Sequence, residues 1–276
     1  MHVFETPGTA RLRIRNGAGY VTVEAGDTSQ TTVELEALRE DQGSAEAVER
    51  ATVEQNGNEV VIEIGTGEKG FSIGPAWISF GRTPQVGIKI RCPEGSALEL
   101  ATASADLTAK GRLGDVEAKS ASGDATLEQV HELRVHTASG DVRAVLVESE
   151  ARVQTVSGDI RLDAVHGQLL ATLVSGDLQV GDALSDVETK TVSGDQRVDA
   201  IRQGRIKLQS VSGDVRLGVR PGTRLRIDAS SVSGDISSEF DVKDSPSETP
   251  SGHEATLQIK TVSGDVELVR AAPVSA

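Results

Sequence analysis

Eight copies of the triplet Ser-Gly-Asp place a carboxylate at Asp124, Asp141, Asp159, Asp177, Asp195, Asp214, Asp235 and Asp265, and a degenerate copy, Ser104-Ala105-Asp106, precedes them. Carboxylates repeated at a near-constant interval offer three chemistries. They can ligate a hard cation such as calcium, work in pairs as acid and base on a glycosidic bond, or accept hydrogen bonds from the backbone N–H groups of a tight corner. Calcium-binding solenoids use a glycine-rich nonapeptide of a different pattern. Catalysis needs one distinctive place, whereas every carboxylate of this column has the same sequence neighbours. The aspartates are therefore read as structural turn residues, and no catalytic residue, cofactor or metal is assigned. The five histidines (His2, His131, His136, His166, His253) fall at unrelated phases of the repeat, without metal-ligand spacing.

Two other phases of the repeat could contact a partner. Two places after the aspartate stand Arg143, Arg161, Arg197 and Arg216, four guanidinium groups in an otherwise acidic chain. They form a candidate partner-binding strip that could dock an acidic segment through bidentate bonds. The alternative is that they pair with carboxylates of neighbouring coils and keep the face solvated. Immediately before the serine comes Val156, Val174, Val192 and Val211, with Val232 and Val262 at the same phase. We expect the corner to turn these valines inward, or another segment to cover them; an exposed sticky stripe is the alternative.

The elements that position these residues follow from the spacing. Successive serines are 18, 17, 18, 18, 18, 19, 21 and 30 residues apart, the sequence signature of a solenoid. Six places before each serine the residue is apolar, as at Leu133, Leu169, Val187 and Ile206, and apolar or small residues then alternate with period two up to the corner. After the aspartate the alternation resumes, as in Ile160 and Leu162. Each repeat is thus a strand, a tight corner, a second strand and a looser corner. Residue identity at each phase favours stacking in parallel, each residue above its own copy. The expected fold is all-β: a parallel β-helix-like solenoid of about nine ~18-residue coils over residues 92–276, preceded by a β-rich capping portion, residues 1–91.

In that N-terminal portion Asn16-Gly17 is expected to make a hairpin turn between two short strands. One short helix is placed near 44–53, capped by Ser44. Gly65-Thr-Gly67-Glu-Lys-Gly70 matches a dinucleotide-binding glycine pattern, but Gly74-Pro75 follows where a helix would have to start, so a hairpin or loop carrying Trp77 and Phe80 is expected instead. Residues 239–254 are expected to leave the coils as a loop, and the last coil, with Val266 and Leu268, to close the stack and fray first.

Bulk composition narrows the partners. Only 2% of the 276 residues are aromatic, which suits a narrow core of Val, Leu, Ile and Thr. A formal charge of −14 disfavours nucleic acid and anionic membranes. Cys92 is the only cysteine, so no internal disulfide can form. Neither a secretory signal nor an apolar run of about 18 residues is present, so a cytoplasmic protein without direct membrane insertion is expected.

The Ser-Gly-Asp repeats, preceded by Thr-Val or Thr-Ala and followed by an apolar-polar-apolar triplet, resemble the bacterial adhesin-like β-strand-repeat family, also described as toastrack domains. The similarity runs from about Val86 to Arg270 and includes the ending Ile259-Lys-Thr-Val-Ser-Gly-Asp-Val-Glu-Leu268. The resemblance implies a β-helix-like fold, no established enzymatic activity, and links to adhesin-like or envelope-stress roles. The reading is a non-catalytic scaffold or protein-interaction module whose partner is another protein. The alternatives are a self-assembling structural element and a polysaccharide-binding or polysaccharide-cleaving β-helix.

Overall fold

The computed structural model describes residues 1–65, 70–73, 76–79, 83–240 and 253–272. Contacts divide the chain into two compact units, Met1–Val130 and His131–Ala276. The first holds β1 (His2–Glu5), β2 (Arg11–Gly26), β3 (Gln30–Ala37), α1 (Gln42–Glu49), β4 (Thr52–Asn56), β5 (Glu59–Glu63), β6 (Gly70–Ile73), β7 (Ala76–Ser79), β8 (Gln85–Pro93), β9 (Ala97–Leu113), β10 (Val116–Ser122) and β11 (Ala125–Val130). The second holds β12 (Leu133–Ser139), β13 (Val142–Val147), β14 (Ala151–Ser157), β15 (Ile160–Val165), β16 (Leu169–Ser175), β17 (Leu178–Ala183), β18 (Val187–Ser193), β19 (Gln196–Ile201), β20 (Gly204–Ser212), β21 (Val215–Val219), β22 (Arg224–Ser233), β23 (Ile236–Ser238), β24 (Glu254–Ser263) and β25 (Val266–Arg270).

In the second unit the alternation of the repeat becomes a parallel stack. Before the corner β12, β14, β16, β18 and β20 pair in order, with Ser157 opposite Ser175 and Ser175 opposite Ser193. After the corner β13, β15, β17, β19 and β21 do the same. The alternate residues Ala151, Val153, Ile160, Leu162 and Val165 are buried, as are their counterparts in adjacent coils. Each fully buried aliphatic side chain contributes about 2 kcal/mol by leaving water, and it does so only against the coil above and the coil below.

The stack does not follow chain order to its end. The final strands β24 and β25 lie between the coil of β20 and β21 and the coil of β22 and β23: β24 pairs with both β20 and β22, and β25 with both β21 and β23. The expectation that Val266 and Leu268 close the stack is therefore overturned. Both are buried, whereas Ile236 of the outer coil is 47% exposed. Most of the 239–254 excursion, which lets the chain re-enter one layer back, lies outside the described residues.

The first unit contains a coil hidden from the triplet search. β2 is one unbroken strand pairing in parallel with β9, with Ala18, Gly19 and Tyr20 opposite Ser104, Ala105 and Asp106. Asn16-Gly17 is consequently not a hairpin turn. Asn16 is buried two places before the corner, with its Nδ2 donating to Val86 O at 3.0 Å. On its other side β2 pairs in parallel with β5 and then β8, which together make a further coil. Between them in sequence β6 and β7 pair antiparallel, while residues 66–69 of the Gly65–Gly70 motif, Phe80 and the side chain of Trp77 lie outside the described residues. β4 pairs antiparallel with β5, β3 with β8, and β1 with β3.

Helix α1 starts earlier than expected because Asp41, not Ser44, is its cap: the Asp41 carboxylate accepts the Ser44 N–H at 2.7 Å. The Ser44 side chain is buried instead, and its Oγ accepts from Gln85 N at 3.2 Å. The helix ends at Glu49, so Val53 belongs to β4.

Candidate interaction surface

Six Ser-Gly-Asp corners of the second unit are built on a glycine at positive φ, Gly158, Gly176, Gly194, Gly213, Gly234 and Gly264, where another residue would be strained. Gly176 has φ +132°, and a Cβ there would stand 2.2 Å from the carbonyl oxygen of Gly158 one coil back. The corner backbones are thus in direct contact, and the residues flanking them are held in straight columns.

The aspartate column is drawn together by this contact. Asp159 N donates to Asp141 Oδ1 at 2.9 Å, Asp177 N to Asp159 Oδ1 at 2.9 Å, Asp195 N to Asp177 Oδ1 at 2.8 Å and Asp214 N to Asp195 Oδ1 at 2.8 Å. The ladder continues with Asp265 N on Asp214 and ends with Asp235 N on Asp265, both at 2.8 Å, repeating the re-entrant order of the strands. In the first unit Asp124 N donates to Asp106 Oδ1 at 3.0 Å. Each of these acceptor carboxylates takes a backbone hydrogen bond from the neighbouring coil in the same way, so the column presents a repeated environment and not one singled-out pair.

The valine column lies beside it and points outward. Val156, Val174, Val192, Val211 and Val262 are 45–53% exposed, and Val232 on the outermost coil is 81% exposed. The expected inward turn does not occur, because the residue two before the serine already fills the inside of the corner: Thr155, Leu173, Thr191, Ser210 and Thr261 are buried there. With strands about 4.8 Å apart, six valines make an apolar ladder about 24 Å long. The next outward column holds Gln154, Thr172, Lys190, Gln209, Lys260 and Ser230, which includes no acid. A contiguous apolar stripe between a neutral-to-basic column and a row of carboxylates can dock an apolar surface and orient it by charge.

The arginines occupy one outward row, with Arg143 opposite Arg161 and Arg197 opposite Arg216; Gln179 separates the two pairs. Three are engaged with carboxylates: Arg161 with Asp163 at 3.2 Å, Arg197 with Asp199 at 2.5 Å and Arg216 with Glu267 at 2.6 Å. Arg143 is exposed and has no ion pair among the described residues.

Two polar arrangements escaped the sequence reading. Gln196 is buried in a column of aliphatic residues, where Thr189 donates to its Oε1 and its Nε2 donates to Gln209 O at 2.8 Å. At the hidden corner of β2, Tyr20 replaces the aspartate and donates to the Glu36 carboxylate, with Lys89 Nζ 5.9 Å from its ring centroid. That bond from Tyr20 holds the Glu36 carboxyl below its ordinary range, and partial burial and the same bond raise the tyrosine. Gly87 leaves room for the ring, since a Cβ there would meet it at 2.7 Å. Among the described residues no helix is long and apolar enough to cross a membrane.

These features define a parallel β-solenoid with a tight glycine corner and outward columns of identical residues. A family model described as Toastrack DUF4097 matches residues 9–269, and the chain belongs to that family. Solved structures with similarity include a "putative adhesin" from Bacteroides fragilis, 14% identical with a TM-score of 0.48 over 97% of this chain and 95% of that one. A second "putative adhesin", from Parabacteroides distasonis, is 12% identical with a TM-score of 0.46 over 97% and 95%. A "putative lipid binding protein" from the same species is 13% identical with a TM-score of 0.38 over 98% and 96%. No curated protein matches the chain.

Proposed function

We propose that this protein is a non-catalytic interaction module whose stacked coils bind another protein, and that the valine ladder is the contact. The observation that carries this reading is the half-exposed row Val156, Val174, Val192, Val211 and Val262, in register on successive coils. Rigid corners present the row without loss of conformational freedom on binding, which favours affinity. The aspartates beside it serve as turn residues, since backbone N–H groups occupy an oxygen of each acceptor in the ladder. The arginine row is the secondary candidate, because Arg161, Arg197 and Arg216 already have carboxylate partners.

The test is capture of partners from the source cell by the intact chain and by a variant carrying Val174→Thr, Val192→Thr and Val211→Thr, which removes apolar surface at nearly constant shape. Loss of the captured partner with an unchanged melting curve is the expected result. Capture retained by this variant but lost when Arg143, Arg161, Arg197 and Arg216 are reversed to Glu would move the contact to the arginine row and overturn the valine assignment.

A further inference from the structure

The outermost coil of the second unit ends in an edge strand built to be paired. β22 is 10 residues long, and among the described residues its only strand partner is β24. Natural sheet edges are blunted by shortness, proline, lysine, bulges or inward-pointing charges. The edge strands β1 and β4 of the first unit are four and five residues long. β22 has no proline, no lysine and no inward charge. Its inward residues Leu225, Ile227 and Ala229 are only half-buried, whereas Leu257 and Ile259 beside them on β24 are fully buried.

The backbone polarity of this edge can be worked out. Arg224 N donates to His253 O at 2.8 Å, so Arg224 faces β24. Alternation along a strand then aims the N–H and C=O groups of Leu225, Ile227 and Ala229 away from β24. On the outer face Arg226 and Asp228 are exposed and have no ion pair among the described residues.

We propose that this edge pairs antiparallel with β22 of a second copy, about a two-fold axis through Ile227. In that register Ile227 lies opposite Ile227 of the second copy and Leu225 opposite its Ala229. All are residues with outward N–H and C=O groups, and they make the narrow hydrogen-bonded pairs of an antiparallel ladder. Arg226 meets Asp228 of the second copy, and the symmetry repeats the ion pair. An axis one residue away, through Arg226 or Asp228, would instead set like charges against each other. Because the same edge is used by both copies the contact is closed, giving a dimer and not a fibre.

Sedimentation equilibrium on the full chain tests this. A concentration-dependent dimer is expected. Arg226→Asp places two carboxylates opposite each other at both crossings and weakens the dimer at least about tenfold, as Asp228→Arg does with two guanidinium groups. Combining Arg226→Asp with Asp228→Arg exchanges the partners and restores the dimer. Ala229→Pro removes an outward N–H while leaving the β24 ladder intact, so it abolishes dimerisation with the melting curve retained. A monomer up to about 1 mM, a dimer indifferent to the single charge reversals, or a species that keeps growing with concentration would each overturn the proposal. The triple valine variant leaves the dimer unchanged; loss of the dimer there would place self-association on the valine ladder and overturn the β22 assignment.

Discussion

Asp177 Oδ1 accepts the backbone N–H of Asp195, one coil further on, at 2.8 Å. The carboxylate therefore ties the next corner and not its own, and removing it leaves a neighbour's peptide unsatisfied. Asp177→Ala is expected to cost about 1 kcal/mol, the ordinary net worth of such a bond, while Asp177→Asn, which retains an acceptor oxygen, costs less. Chemical denaturation checks the order. Calcium leaves the melting temperature unchanged; a rise of several degrees would restore the cation-site reading.

The corner glycine is a stricter requirement than the aspartate. Gly194 has φ +135°, and a Cβ there would lie 2.1 Å from Gly176 O. Gly194→Ala should cost about 3 kcal/mol or more, adding a steric clash to the strain of a conformation essentially confined to glycine. Gly43, inside α1, meets nothing nearer than 3.8 Å, so Gly43→Ala should stabilise by about 0.5–1 kcal/mol. Thermal unfolding of the two variants should move in opposite directions.

Position in the stack, not in the chain, sets the cost of a core change. Val266→Ala, covered by one further coil and buried, is expected to cost about 2 kcal/mol, in the range of Ile160→Ala. Ile236→Ala on the outer coil should cost less than about 0.5 kcal/mol. Hydrogen exchange should show the same order, with β22 and β23 exchanging before β24 and β25. Earlier exchange of β24 would contradict the re-entrant order.

The buried hydroxyls beside the corner offer a stabilising change. Thr155 Oγ1 is buried without a hydrogen-bond partner among the described residues, and the same column accepts Leu173 one coil on. Thr155→Val keeps the shape, removes the unpaired polar atom and should stabilise by about 1 kcal/mol. Measured destabilisation of that size would show that the hydroxyl is hydrogen-bonded in solution.

Burial raises the Cys92 thiol from 9.0 to about 11, against a smaller lowering from Ser96. A folded state that holds its proton more tightly contributes stability present below about pH 9 and lost as pH rises from 9 towards 11. A thiol reagent at pH 8 should leave Cys92 unmodified in the native protein and label it on unfolding. Cys92→Ala should flatten the alkaline limb of the stability profile.

The periodic part of the fold was legible because a β-solenoid repeats its physics: the apolar phase at Leu133, Leu169 and Ile206 and the corner triplet specify the same coil each time. The coil of β2 was equally present in Leu12, Ile14, Val21 and Val23, but its corner is Ala18-Gly19-Tyr20, and the serine and aspartate by which the others were found are missing. Alternation already puts the valines on the outward phase, but it cannot say whether the corner then rotates them inward or another segment covers them; the buried Thr155 column, which fills the inside of the corner, decides that. The re-entrant last coil left only one trace, the 30-residue spacing, which a loop explains as well. The arginine row was legible as a row, but its occupancy by Asp163, Asp199 and Glu267 needed side-chain geometry.

The placement of β24 and β25 imposes an order of events on biosynthesis. The layer between β20 and β22 is occupied by strands made after both of them, so β20 lacks one of its two neighbours, and β22 its neighbour among the described residues, until residues 254–270 have been synthesised. A nascent chain stopped after residue 240 holds two identical-phase strands with the intervening layer missing, and stacking β22 directly on β20 would give a shorter column that release of the remaining residues must reopen. Synthesis of β24 and β25 is thus the step that sets the order of these layers, and a product cut before them is not a shorter version of the same object.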